Sequence, residues 1–269
     1  MSDHVEVSSQ WLTRLRGIPR HRIGMGVVFA ALLVTLAVTM RWDWLPKYAP
    51  MIAQGICTTV WLLAVSVVLG MLLAIPIGLA QVVGPWPLAK LAAAYCTVIR
   101  GTPLLIQIFF LYYGLGSLFP HIPEIRGSWM WPYLREAWPY ALLALTMSFA
   151  GYEGEIMRGA FAGVPRGELE AARAYGMPRF KILRRIWLPR AVQRVLPTLA
   201  GEVVLQLKST PLVATITVFD AYGVISRIRS DTYITYEPLL LLALIYIVLA
   251  AGIVGVFGHF EKKTRRRRV

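Results

Sequence analysis

The sequence predicts an all-α, polytopic transmembrane bundle of six spans with one basic, amphipathic interior loop. Three observations carry that expectation. The 269 residues are 57% hydrophobic, with a mean hydropathy of +0.58. Charged residues make up 16%, against about a quarter in a soluble domain, so lipid must solvate much of the apolar surface. The apolar residues form runs near the 20 or so helical residues that cross a bilayer core of about 30 Å, and the Lys and Arg residues lie between and beyond those runs.

Ile23–Met40 is the first uncharged run, preceded by Arg14, Arg16, Arg20 and Arg22. It is longer than the apolar region of a signal peptide and leads into "MRWDW" without a small-residue cleavage site, so an uncleaved span is expected. A charge-free stretch from Tyr48 to Ala89 holds a second span near Met51–Gln81, ended by the "GPWP" turn at Gly84–Pro87. A third covers Ala94–Phe119, a fourth Pro139–Ala162, a fifth Val195–Tyr222 and a sixth Pro238–Phe260. The segment Pro120–Trp138 is rich in Pro and Trp and reads as an outer loop, with Trp129, Trp131 and Trp138 suited to the headgroup level.

Orientation follows from the cations. With the N-terminus inside, the four inner segments hold four, two, nine and six Lys or Arg, and the outer loops hold six, with Lys208 left within a span. The positive-inside rule then puts both termini in the cytoplasm. The expected domains are a basic N-terminus plus extra helix (1–47), a transmembrane domain (48–260) with the basic loop at about 163–190, and a basic tail (261–269) whose "KKTRRRR" suits anionic lipid.

Several function classes lose support. A formal charge of +14 invites a nucleic-acid reading, but the cations follow a membrane topology and form no clustered basic face. Cys57 and Cys96 make no CxxC pair. The four histidines share no metal-ligand spacing, and no phosphate loop or nucleophile elbow is present. No cofactor, metal or catalytic residue is expected on this chain.

The loop "ELEAARAYGMPRFKILRRIWLP", Glu168–Pro189, has a helix–stop–helix grammar. Pro165 can open a helix without losing a needed donor. Leu169, Ala172 and Tyr175 are three apart, on one face. Gly176 with Pro178 beyond it is a stop. A second helix follows in which Phe180, Leu183 and Trp187 line one side, and Pro189 closes the unit. Two such short helices are marginal alone in water, so they need a surface, which on composition is either a partner protein or the lipid headgroups.

Read as Glu170-Ala171-Ala172, Gly176, Ile186 and Leu188-Pro189, this loop resembles the EAA motif of the membrane subunits of ATP-binding-cassette (ABC) importers, every anchor falling at the family's spacing. "RGTPLLIQIFFLYYG" (Arg100–Gly114) and "LKSTPLVATITVFD" (Leu207–Asp220) resemble segments of the polar amino acid permeases, among them those for histidine, lysine, arginine and opines. The resemblance covers roughly Tyr48 to Phe260. Members commonly have five spans, so Met1–Lys47 looks like an added helix with an anchoring role. The resemblance implies an inner-membrane permease subunit without catalysis of its own. Its partners would be two cytoplasmic ATPases that bind ATP and Mg, a second permease half (a paralogue rather than an identical copy), and a periplasmic or surface solute-binding protein. Each ATPase would grip one EAA loop, with Glu170 orienting it, Ala171, Ala172 and Gly176 allowing close approach, and Tyr175, Phe180 and Trp187 as anchors.

Ionisable groups within membrane spans are candidates for the cargo path: Glu153, Glu155, Glu202 and Lys208. Glu153 and Glu155 point roughly 200° apart on a helix. Glu155 matches a glutamate of the family and is also placed for an i,i+3 ion pair with Arg158. Glu153 and Glu202 can receive a guanidinium or imidazolium or pair with Lys208. Thr102-Pro103 and Thr210-Pro211 set a hydroxyl before a helix-disturbing proline, which either faces a cavity or kinks the helix; Gln107 fits either role. An ion-coupled secondary transporter is the alternative, but the chain has no clear internal repeat of the kind such folds carry.

Overall fold

The structure is a computed structural model that describes residues 40–266 continuously, with helical positions at Gly24, Val27, Val34, Thr35 and Thr39 before them. The expected first span, Ile23–Met40, lies outside the continuously described residues. Two compact units divide at Pro46 and Lys47. In the first, the Trp44 indole donates to the Arg41 carbonyl (2.9 Å) and Arg41 meets Asp43 at 3.3 Å.

Every regular element among the described residues is helical. The helices are α1 (Leu45–Val83), α2 (Trp86–Gly101), α3 (Leu104–Phe109), α4 (Pro123–Arg126), α5 (Trp131–Leu134), α6 (Trp138–Ala162), α7 (Arg166–Ala174), α8 (Arg179–Ile182), α9 (Leu188–Ser209), α10 (Ala221–Thr232) and α11 (Tyr236–Arg266). A π-helical turn, Phe110–Leu115, carries α3 on toward His121, and another, Leu183–Trp187, joins α8 to α9.

Among the described residues, three helical stretches are long and apolar enough to cross a membrane: Leu45–Val83, Leu104–His121 and Tyr236–His259. The pair Arg179–Ile216 and Ala221–Thr232, bent by 51°, makes a fourth if taken as one span. At 25 residues α6 has the length to cross, but Glu153, Glu155 and Arg158 lower its apolar character.

The expected third span is in fact two helices. Thr102 (ψ 138) is extended, because a residue before proline is driven out of the α region, and Pro103 (ψ 133) is extended after it. The expected fifth span also differs. At Thr210-Pro211 the helix tightens to a 3-10 form, Thr210–Ile216, instead of ending. It stops at Thr217, whose φ of 66° is left-handed.

Glycines let α1 lie directly on its neighbours. A Cβ on Gly70 would sit 2.8 Å from the Phe149 ring, and one on Gly78 would sit 2.7 Å from Met157 Cβ and 2.8 Å from the Arg158 amide nitrogen. In lipid, where burial of oil against oil yields little, such close packing and interhelical hydrogen bonds drive association. Both occur here. Gln206 of α9 donates to the Leu145 carbonyl of α6 (2.9 Å) and to Ser66 Oγ of α1 (3.3 Å), and Tyr95 of α2 donates to the Met147 carbonyl (2.8 Å). Leu63, Phe149, Val203 and Leu207 fill the space around this contact, with Tyr246, Leu249 and Ile253 of α11 against them.

The Pro/Trp-rich segment folds as the short helices α4 and α5. Trp129 stands 80% exposed, whereas Trp138 packs edge-on against Trp61 at 5.3 Å.

Gly78→Ala is expected to destabilise the detergent-solubilised protein by about 1–3 kcal/mol through overpacking. Gly252→Ala, where nothing lies within 4 Å, should leave thermal unfolding unchanged. Equal midpoints for the two variants would contradict the α1–α6 contact.

Candidate functional site

The interior loop forms a compact hairpin. Pro165 precedes α7, whose buried face is Leu169 and Ala172. Its end is a Schellman motif: the Met177 amide donates to the Ala172 carbonyl (3.1 Å) and the Gly176 amide to the Arg173 carbonyl (2.8 Å). This closure needs a left-handed residue, and Gly176 supplies it at φ +74. A Cβ there would meet nothing within 4 Å, so within this chain the glycine serves the turn and not close packing.

The hairpin is seated on the ends of α1, α6 and α9. Leu169, Ala172 and Ile182 join Ala74, Met157, Phe161, Val164 and Val195 in one apolar cluster, with Met177, Ile186, Trp187 and Leu188 at its margin. The Trp187 indole donates to the Phe161 carbonyl (2.9 Å) and its ring meets Phe161 edge-on at 5.6 Å. Glu168 pairs with Arg190 at 3.0 Å, tying α7 to the start of α9.

Two sequence expectations change here. Tyr175 does not share the buried face of Leu169 and Ala172; it falls after the last helical turn and is 89% exposed. On the second helix Ile182 is buried against the bundle and Phe180, two residues earlier and so on the other side, is 72% exposed. Glu170, Ala171 and Pro189 are exposed as well. The free surface of the hairpin therefore carries Glu170, Ala171, Tyr175, Gly176 and Phe180, while Ala172 and Trp187 hold it to the bundle. Leu79, Val83, Arg179, Phe180 and Trp187 line a groove of about 320 Å³ beside it.

The candidate cargo residues do not form one site. Glu153 is fully buried, and neither carboxylate oxygen has a hydrogen-bond partner. The half-buried Glu202 of α9 acts on it electrostatically. Lys208 is exposed, and among the described residues it forms no ion pair with either glutamate. Glu155 is paired with Arg158, whose Nε donates at 2.6 Å.

Gln107 and Thr102 close the break between α2 and α3. The Gln107 amide donates to the Ile99 carbonyl (2.9 Å), the Thr102 carbonyl (3.1 Å) and Thr102 Oγ1 (2.9 Å). These bonds occupy carbonyls that the helix end leaves without partners.

Thr210 is fully buried. Its hydroxyl donates to the Leu207 carbonyl (2.9 Å) and lies 3.0 Å from the Tyr246 hydroxyl. A polar knot that sequence reasoning missed lies beside it. Buried Asp220 caps α10 by accepting from the Gly223 amide (2.8 Å), and Thr59 of α1 accepts from the Ala221 amide (3.0 Å). The Asp before "AYG" is a capping signal readable in the sequence; Thr59 and Tyr246 have no such local signature.

The arrangement is a helical bundle with membrane-length apolar helices and an amphipathic hairpin seated on one end; its likeness to known proteins defines it as a transport subunit. The family model "binding-protein-dependent transport system inner membrane component" matches residues 66–266. The octopine transport system permease protein OccM of Rhizobium radiobacter is 41% identical over 208 residues, covering 77% of this chain and 83% of its own length. The histidine/lysine/arginine/ornithine transport system permease protein HisM of Escherichia coli K12 is 34% identical over 210 residues, covering 78% and 87%.

Among solved structures, an amino acid ABC transporter crystallised with histidines matches with a TM-score of 0.69 at 30% identity, over 84% of this chain and 99% of that one. An inward-facing methionine ABC transporter shares the fold, with a TM-score of 0.63 at 18% identity over 81% and 98%. The chain belongs to the binding-protein-dependent transport system inner-membrane components, the permease subunits of ABC importers. It is a multi-pass inner-membrane protein without catalysis of its own. Family membership implies a partner ATPase that uses ATP and a solute-binding protein.

Gly176→Ala should cost roughly 1–2 kcal/mol, the penalty for a left-handed residue with a Cβ, and Gly176→Asn less, since Asn tolerates that region. Thermal unfolding of the purified chain checks the order; an Ala variant as stable as the parent would remove the turn from the account.

Proposed function

We propose that the chain carries a cationic amino acid or opine inward, driven by ATPases that grip its hairpin. The observation behind the cargo is the pair of relatives named for octopine and for histidine, lysine, arginine and ornithine transport. These compounds combine a nitrogen cation, or an imidazole that becomes one, with a carboxylate. The half-buried Glu202 offers a carboxylate to such a cation, and the fully buried Glu153 offers two carboxyl oxygens without partners; cargo reaching them would form charge-assisted hydrogen bonds. Glu202 is the half-buried member and the first contact. The exposed Lys208 follows it on the same helix, and Thr210, buried and bonded to Leu207 and Tyr246, is a support beyond it. Glu155, Thr102 and Gln107 belong to this pathway only as supports, since each already has a partner within the chain.

The proposed topology has six spans, the extra N-terminal helix (1–47) ahead of a five-span domain (48–260), both termini cytoplasmic and a basic tail (261–269) on the lipid. Twenty-one Lys and Arg inside against six outside support it. The hairpin, about 163–190, then faces the cytoplasm. Its exposed Tyr175 and Phe180 suit a groove on the ATPase, with Glu170, Ala171 and Gly176 between them. Ile186, Trp187, Leu188 and Pro189 transmit the movement, because they join the hairpin to α9 and to the Phe161 end of α6. A paralogous permease is proposed as the second half.

ATPase activity of the reconstituted importer, stimulated by its binding protein loaded from a panel of amino acids and opines, tests the cargo. Arg, Lys, His or octopine should stimulate; stimulation by neutral or acidic compounds alone would overturn this reading. Replacing Tyr175 and Phe180 together by Ala should reduce ATPase co-purification about tenfold or more, at about 1–2 kcal/mol for each anchor. Full retention of the ATPase would refute the grip.

A further inference from the structure

A second cleft lies on the other flank of the hairpin end. Its volume is about 470 Å³, and Gln81, Trp86, Lys90, Arg100, Glu155 and Arg158 line it. Gln81 belongs to the last turn of α1, the helix end whose Leu79 and Val83 line the hairpin groove. The cleft and the hairpin are therefore at the same end of the bundle.

Charge distinguishes it. Three cations against one carboxylate leave a net +2. Arg158 satisfies Glu155, and among the described residues Lys90 and Arg100 form no ion pair. Both are exposed. The Arg100 guanidinium lies over the Tyr152 ring of α6 at 5.6 Å, which places it between α2 and α6. The surface beside the cleft is oily: Trp86 is 73% exposed, Leu88 49%, Leu91 68% and Val98 59%. A soluble anion would gain nothing from those side chains. A phospholipid would use both parts, its phosphate on the cations and its acyl chains along α2.

We propose that this cleft binds the headgroup phosphate of an anionic phospholipid from the leaflet on the hairpin side. Basic pockets between transmembrane helices favour such headgroups, at about 1 kcal/mol for each Lys or Arg near the surface. The exposed indole of Trp86 suits the same interfacial depth. A lipid bound here would bridge α2 to α6 next to the seat of the hairpin, so the importer's ATPase coupling would depend on anionic lipid.

The test uses the assembled importer, stripped of lipid and offered equal amounts of phosphatidylglycerol and phosphatidylcholine, with bound lipid counted by native mass spectrometry. The parent should retain phosphatidylglycerol preferentially. Lys90→Gln with Arg100→Gln should reduce that retention roughly fivefold per charge removed, leave phosphatidylcholine unchanged, and be rescued by Lys90→Arg with Arg100→Lys. Equal retention of phosphatidylglycerol by parent and Gln variant would overturn the proposal. So would displacement of the lipid by inorganic phosphate alone, which marks a soluble-anion site. Loss of the preference in Lys262→Gln with Lys263→Gln but not in the cleft variant would assign it to the tail instead. If the double Gln variant fails to assemble, the single exposed change Lys90→Gln gives the same reading at about fivefold.

Discussion

A break in a membrane helix has to be closed from within the protein. Lipid supplies no hydrogen bonds, and an unpaired backbone group in hydrocarbon costs several kcal/mol. This chain breaks its helical path at Thr102-Pro103 and at Thr217–Asp220, and it closes each break differently. Gln107 reaches back over the first, using one amide group for three acceptors. The second is closed by Asp220 from its own helix start and by Thr59 from α1. Both devices depend on neighbours lying close. At the second, a Cβ on Gly55 would stand 3.0 Å from the Asp220 carbonyl oxygen.

The same requirement explains why polar side chains between helices are mostly occupied. Gln206, Ser66, Tyr95 and Thr210 each bond to a backbone carbonyl or to one another. Glu153 stands apart from them, buried with both oxygens free. A carboxyl in that state is costly unless something completes it, which is why the proposed cargo contact rests on it and not on Glu155, whose partner is already in place.

On the proposed coupling role, the hairpin converts this packing into a handle. Its inner face belongs to the same apolar cluster as the ends of α1, α6 and α9, and Trp187 and the Glu168–Arg190 pair add directional ties. A partner holding Tyr175 or Phe180, as proposed, would therefore act on three helices through contacts already made.

Much of this was legible in the chain. The second and sixth apolar runs, the "GPWP" turn and the glycine stop at Gly176 are local. They depend on propensities and spacings within a few residues, and the structure keeps them, whereas the third run is split at Thr102-Pro103. What the sequence could not assign was which side of each short hairpin helix seats on the bundle: Tyr175, past the last turn of its helix, and Phe180 face outward, and Ile182 faces inward. Nor could it identify closures whose partners are far apart in the chain, such as Thr59 with Ala221, 162 residues away, or Gln206 with Ser66, 140 away. Those bonds exist only once the helices have packed, and no local pattern encodes them.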